Sequence, residues 1–311
     1  VVLNNQPGAP TSMGVGATNP NLIQISSLMV TDEAAAKISE LLNNGQEVTV
    51  SLKDDGSGPE IDGDFDNGII VHEYGHGISN RLTGGPNVTG CLGNAEQMGE
   101  GWSDWFGLMM TMKPGDTGSK VRGIGTYASG QPTTGRGIRP APYSTDFGVN
   151  NFTYAATNNA AAISQPHGIG FVWSTMLWDM TWALIDKYGY DEDIYHGTGG
   201  NNMAMQLVID GLKLQPCRPG FVDGRDAILL ADQLNNGGAN QELIWRAFAD
   251  RGLGYSAKQG LTTNRSDQVE AFDMPPVFAC DAPTIAVQKT SSVYTGGSAN
   301  TIFLGYGAQS V

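Results

Sequence analysis

The sequence is short of cysteine, of basic residues and of histidine, and each shortage narrows what the chain can be. Cys91, Cys217 and Cys280 are the only cysteines among 311 residues, an odd set too sparse for a disulfide-built scaffold and without the close pairs of a zinc ribbon. They leave the redox compartment open: one bridge with one free thiol fits, and so does a partner outside the chain. Lysine and arginine number 17 against 31 Asp plus Glu, and the net charge of −14 opposes contact with nucleic-acid phosphates or an anionic membrane face. Nucleic acid is not an expected partner. No apolar run approaches the roughly 18 residues that span a bilayer, so a soluble chain without a membrane span is expected. An initiator Met and a charged-then-apolar leader are also missing, and the last residues are GYGAQSV, which reads as a piece of a longer protein.

What is plentiful is glycine, 43 of 311 residues, scattered without a three-residue period and therefore a sign of tight turns and close backbone contacts. Residues 1–52 read as a short α/β piece, with strands in VVLNN, in LIQI at 22–25 and in EVTVSL at 47–52, and a helix over 31–45 ended by Gly45. Asp54 to Gly68 is a boundary loop rich in Asp, Gly and Pro. Helices are predicted near 67–82, 95–112, 169–187, 202–214, 225–235 and 240–251, with 113–166 as a long surface excursion. After Pro275-Pro276 the short alternating runs TIAVQKT and TIFLGYG predict a β-rich module from about 284.

Only four histidines are present, and HEYGH places two of them, His72 and His76, one helical turn apart on one face, where they can share a metal ion. Glu73 stands beside the first and can take a proton from water on that ion. The plain alternative is a surface helix that happens to carry two histidines. Ile69, Ile70, Val71, Tyr74 and Ile78 argue against it by making the helix mostly apolar, and Gly75 and Gly77, each costing about 1 kcal/mol in helix propensity, suggest that another backbone comes close.

A zinc hydrolase needs a third protein ligand and an open position for water. The extended HExxHxxGxxH pattern is excluded, because Ser79 and Leu82 occupy the required places. In AEQMGEGWSDWFGLMM, Glu96, Glu100 and Asp104 recur every four residues on one predicted helical face, with Gly99, Gly101 and Gly107 available for tight packing on the first helix. Glu100 as ligand with Asp104 behind a ligand histidine works, and so does Glu96 as ligand with Glu100 behind it. Spacing does not choose between them.

Together HEYGHGISNRLTGGP, GEGWSD, HGIGFVWSTMLWD and GGNNMAMQLVIDGLKLQPCRPGFVDGRDAILLADQ resemble, in order and over about 62–274, the fungalysin-type zinc metalloendopeptidases of the thermolysin-like group. The resemblance implies one zinc ion held by His72, His76 and Glu100, Glu73 as general base, Asp104 behind a ligand histidine, and His167 as the group that stabilises the oxyanion. It implies protein or peptide substrates, secretion to the extracellular space, and a prodomain and accessory modules in the full-length protein. The fold class expected is α+β: a mainly α-helical thermolysin-like zincin catalytic lobe over 53–283, incomplete on its N-terminal side. Ahead of it, 1–52 resembles the C-terminal half of a protease-associated domain, as in bacterial forms with that insert, and 284–311 resembles the start of a β accessory module.

Asp62, Asp64 and Asp66 partly imitate a calcium loop, but Asn67 stands where an EF-hand has glycine, so Asp66 reads as a helix cap, with Ca2+ on the loop carboxylates as the alternative. His196 reads as exposed. Arg225 is assigned either a substrate carbonyl or a salt bridge with Asp223 or Asp226. The function expected is peptide-bond hydrolysis through a metal-activated water; its rival is a non-catalytic protein-binding fragment with a structural zinc. An aminopeptidase would need an acidic group for a free α-amine, and none is identifiable.

Overall fold

Asp66 caps the helix on which the site is built, and its carboxylate explains why the chain turns helical there. In the computed structural model, which describes residues 2–3, 29–30, 32–49 and 61–278, its Oδ1 accepts the backbone N–H groups of Gly68 at 2.9 Å and Ile69 at 3.2 Å, satisfying two of the donors a helix start leaves free. Its Oδ2 accepts Ala128 N–H at 3.1 Å, so the same carboxylate ties the helix start to the 113–166 stretch.

The described residues are mainly helical: α1 (Asp32–Asn43), α2 (Asn67–Leu82), α3 (Gly99–Met110), α4 (His167–Tyr188), α5 (Gly200–Leu214), α6 (Phe221–Asn236) and α7 (Gln241–Asp250). Two short strands, β1 (Val2–Leu3) and β2 (Met29–Val30), pair in parallel with Val2 opposite Met29. Strand structure is absent from 47–49, the described part of the predicted 47–52 strand; a strand needs a ladder partner, and the sheet among the described residues joins β1 to β2 alone. The predicted strand at 22–25 and the β module from 284 lie outside the described residues.

α2 packs on α3, α3 on α4, and α4 on α5 and α7, while α5 also packs on α6. α4 is apolar around most of its circumference, which suits a helix enclosed by others. Its Trp173, Trp178 and Phe171 are fully buried with Trp102 and Trp105 of α3 and Phe221 of α6, each worth about 1.5–3 kcal/mol of apolar burial. Trp102 and Trp173 meet edge to face at 5.0 Å, an arrangement favoured by the ring quadrupoles. No described helix is long and apolar enough to cross a membrane.

Two glycines set the close approach of α3 and α4. A Cβ on Gly101 would stand 2.2 Å from the Gly170 carbonyl oxygen, and one on Gly170 would stand 2.5 Å from Cβ of Glu100. Gly107 instead faces the Gly68 carbonyl of α2, and Gly75 of α2 faces Cα of Ser103 at 2.9 Å from its would-be Cβ. The expectation for Gly77 is not met: a Cβ there would reach only the tip of Arg81 at 3.7 Å, because Gly77 lies on the open side of the helix.

The 113–166 stretch runs largely over the surface, as expected, but it also sends side chains into the interior. Ile124, Arg139, Tyr143, Asn150, Tyr154 and Ile163 are all buried in it, because its turns fold back over α3 and α4 and are held by side-chain hydrogen bonds and an isolated Arg122–Tyr143 bridge. Cys91, before α3, is bonded to Cys217, before α6, closing a separation of 126 residues. Cys280 lies outside the described residues.

Candidate metal centre

Helical periodicity brings His72 and His76 of α2 to the side that faces α3, their ring centroids 4.8 Å apart. Glu100, in the first turn of α3, meets them: His72 Nε2 lies 3.1 Å from Glu100 Oε2 and His76 Nε2 lies 3.7 Å from Glu100 Oε1. Among the described residues His72, His76 and Glu100 form a cluster whose ligand atoms all fall within 4.8 Å of one another. Ligands about 2.0–2.1 Å from a tetrahedral zinc stand roughly 3.3 Å apart, so the 3.1 and 3.7 Å separations of the histidines from Glu100 suit such an ion. Glu100 Oε2 is buried yet accepts no hydrogen bond, which leaves a lone pair for a cation. Two imidazole nitrogens and one carboxylate are a donor set that suits zinc.

Asp104, one turn beyond Glu100 and fully buried, fixes the first histidine. Its Oδ1 accepts His72 Nδ1–H at 2.7 Å, which directs Nε2 toward Glu100. Burial pushes the Asp104 carboxyl up, but the charge and hydrogen bonds of Arg139, and then of His72, outweigh that and hold it well below the ordinary carboxylate range. Burial pushes His72 down, and the hydrogen bond to Asp104 together with the facing Glu100 carboxylate more than reverses this, raising it to about 9 in the metal-free protein. His76 is lowered by burial and by the charge of His72. For Glu100 burial is again the largest effect and acts upward, but His72 and then His167 draw it below its usual value. The pocket of carboxylates thus favours positive charge at its centre.

His167 opens α4 with 56% of its side chain exposed, and its Nε2 lies 3.4 Å from Glu100 Oε2. Glu73 is exposed on α2 and close enough to His76 to act on it by its charge. The histidine helix is less enclosed than its apolar sequence suggests: Ile70 is 46% and Tyr74 77% exposed, because they share the side turned away from α3.

The family model for fungalysin metallopeptidase (M36) matches residues 16–257. The chain belongs to the fungalysin metallopeptidase family. Similar to this fungalysin-family chain are "Extracellular metalloproteinase 10" of Coccidioides posadasii, 43% identical over 70% of the chain and 34% of the relative, and "Extracellular metalloproteinase MEP" of Neosartorya fischeri, 48% identical over 65% and 32%. A third, "Extracellular metalloproteinase MEP" of Pyricularia oryzae, is 46% identical over 64% and 32%. The chain spans about a third of the length of these curated relatives.

Within the fungalysin chain Glu96 stands apart from the metal cluster. The predicted helix start at 95 moves to Gly99, because Ala95 and Glu96 give their N–H groups to the Thr262 carbonyl at 3.0 and 3.3 Å. Glu96 is fully buried, accepts Tyr154 O–H at 2.7 Å, and is raised by burial to about 8. The four-residue spacing therefore aligns Glu100 with Asp104 and leaves Glu96 outside the helix. Arg225 makes an ion pair with Asp226 at 2.8 Å and donates to the carbonyls of Leu253 and Gly254, so its donors are spent within the fold. His196 is exposed beside Asp193. In the Asp62–Asp66 loop, Asp62 accepts Asp64 N–H and Asp66 caps α2. Those carboxylate oxygens point to backbone donors.

Two residues of the site escaped the sequence reading. Arg139 grips Asp104 with Nε on Oδ2 at 2.7 Å and Nη2 on Oδ1 at 2.8 Å, and lies 3.6 Å from Glu100. Tyr143 O–H donates to Asp104 Oδ2 at 2.5 Å. Both come from the glycine- and proline-rich 113–166 stretch, which has no periodicity to announce them. The one available signal was an arginine in a chain with few basic residues.

Proposed function

We propose that this chain carries the metal centre and general base of a secreted, extracellular zinc-dependent endopeptidase that hydrolyses peptide bonds in proteins or peptides. The observation that carries the reading is the convergence of His72, His76 and Glu100 from two helices with a buried, hydrogen-bond-free carboxylate oxygen between them. The family and its relatives, named as extracellular metalloproteinases, support it.

His72, His76 and Glu100 would hold the ion. When bound, zinc lowers the pKa of a coordinated water toward about 7 and polarises a carbonyl. Asp104 keeps the Nδ1–H tautomer of His72, so that Nε2 presents its lone pair. Glu73, exposed at the same helix, takes a proton from the attacking water on its carboxylate and delivers it to the leaving amide nitrogen. His167, more than half exposed beside Glu100, donates Nε2–H to the oxyanion that forms at the scissile carbonyl. A purely structural zinc would be closed by a fourth protein ligand, whereas the cluster among the described residues has three.

As a further part of this reading, residues 1–52 belong to a protease-associated-like module ahead of a catalytic region over 53–283, with a β-rich accessory module beginning near 284; α1 and the parallel β1–β2 pair support an α/β piece at the start. The test of the catalytic reading is Glu73→Gln in the full-length protein. Zinc content should be unchanged while cleavage of an unfolded protein substrate is lost. Retained cleavage would reject Glu73 as the base.

A further inference from the structure

We infer that Tyr143 is a positioning residue for the metal centre: its hydroxyl, acting through Asp104, holds the His72 imidazole in the orientation in which Nε2 meets the ion. The inference rests on the reading of His72, His76 and Glu100 as zinc ligands.

Asp104 is sealed from water, so its orientation depends entirely on protein donors. A carboxylate offers about four acceptor directions, and here all four are taken: His72 Nδ1 and Arg139 Nη2 on Oδ1, Arg139 Nε and Tyr143 O–H on Oδ2. The terminal torsion of an aspartate is broad and roughly two-fold, so the carboxylate plane must be set by these partners. Arg139 alone is an uncertain clamp, because Glu100 Oε2 competes for the same guanidinium at 3.6 Å. Tyr143 has no second anion beside it among the described contacts of its hydroxyl.

The tyrosine is itself held from two sides. Its main chain pairs with Arg122, Tyr143 N–H to O at 2.7 Å and Arg122 N–H to O at 3.0 Å, and its ring lies 5.2 Å from that of Phe171 on α4. The side chain is fully buried, and burial together with the Asp104 charge pushes the hydroxyl well above 10, so it stays a neutral donor. A neutral donor orients Asp104 without cancelling its charge, and that charge is what strengthens His72 as a ligand. Arg139 by contrast orients and neutralises at once. The pairing of one charged and one uncharged donor on a single carboxylate is what assigns Tyr143 its separate part.

The experiment is Tyr143→Phe in the full-length protein, which removes one oxygen and keeps the ring on Phe171. Zinc affinity is measured by competition with a chromophoric chelator, alongside thermal unfolding of the metal-free form. Outer partners of metal ligands are typically worth 10–100-fold in affinity, and Tyr143 acts one bond further out, so about 10-fold weaker zinc binding is expected, with kcat recovering at saturating zinc and KM unchanged. Fluorinated tyrosine at 143, a stronger donor of the same shape, should restore tight binding. Zinc affinity in Tyr143→Phe within two-fold of the parent, while His72→Ala loses zinc, would overturn this inference alone. Zinc retained by His72→Ala would overturn the ligand reading beneath it, and the inference with it.

Discussion

Replacing glycine by alanine at three positions separates contact from propensity in the helices that carry the metal ligands. At Gly101 the added methyl would sit 2.2 Å from the Gly170 carbonyl oxygen. Ordinary C···O contacts fall at about 3.3–3.6 Å, so α3 and α4 would have to part by roughly 1 Å. Both partners are backbone, so neither can swing aside, and the cost belongs at the upper end of the 1–3 kcal/mol typical of overpacking. At Gly75 the methyl would be 2.9 Å from Cα of Ser103 and the cost is smaller. At Gly77 it would touch only the end of Arg81, so relief of the helix penalty should stabilise by up to about 1 kcal/mol. With about 2–4 °C of melting temperature per kcal/mol for a domain of this size, calorimetry should order the variants Gly77→Ala, parent, Gly75→Ala, Gly101→Ala from highest to lowest. Gly101→Ala should also weaken zinc binding, since Glu100 is its neighbour in the chain. Gly101→Ala melting as high as Gly77→Ala would refute the claim that backbone contact, and not chain flexibility, is why glycine stands there.

Other outcomes follow from the bridge, the buried Glu96 and the Asp104 contacts. The Cys91–Cys217 bridge closes 126 residues, for which the chain-entropy model gives about 5 kcal/mol, so the double serine variant should melt some 10–20 °C lower, and an unchanged melting point would count against it. Glu96 is raised to about 8 from 4.5, so its neutral form is the one the fold favours; the stability it contributes is full below about 4.5 and is lost as pH rises toward 8. Glu96→Gln should therefore lose less stability than the parent between pH 5 and pH 8, by a few kcal/mol, and parallel stability curves would exclude this burial effect. Asp104→Asn should weaken zinc binding by about 10–100-fold in chelator competition, because with its oxygen on His72 the amide turns an NH2 group toward the Arg139 Nε and Tyr143 donors and the negative charge is lost; equal affinity would show that His72 needs no such support.

How much of this was legible in the amino-acid order differs element by element. α2 was readable because three local signals agree: the Asp66 cap, the four-residue histidine spacing, and an apolar run of helical length. α4 was readable from its uninterrupted apolar character. The carboxylate facing the histidines is legible from the GEGWSD resemblance but not from spacing, because the four-residue rule holds only inside a helix and the start of α3 is set by a carbonyl at Thr262, more than 160 residues away. Arg139 and Tyr143 were hidden for a related reason. Their segment is ordered by side-chain hydrogen bonds to α3, and such contacts leave no periodic trace. The openness of Ile70 and Tyr74 was missed because hydrophobicity reports what a surface prefers and not what covers it.

That open outer side of α2 leaves part of the histidine helix free to change. Two large greasy side chains one turn apart meet water on the very rod that bears both imidazoles. Charged replacements at those two positions should therefore be tolerated with both imidazoles still in place, since neither side chain is used in packing on α3.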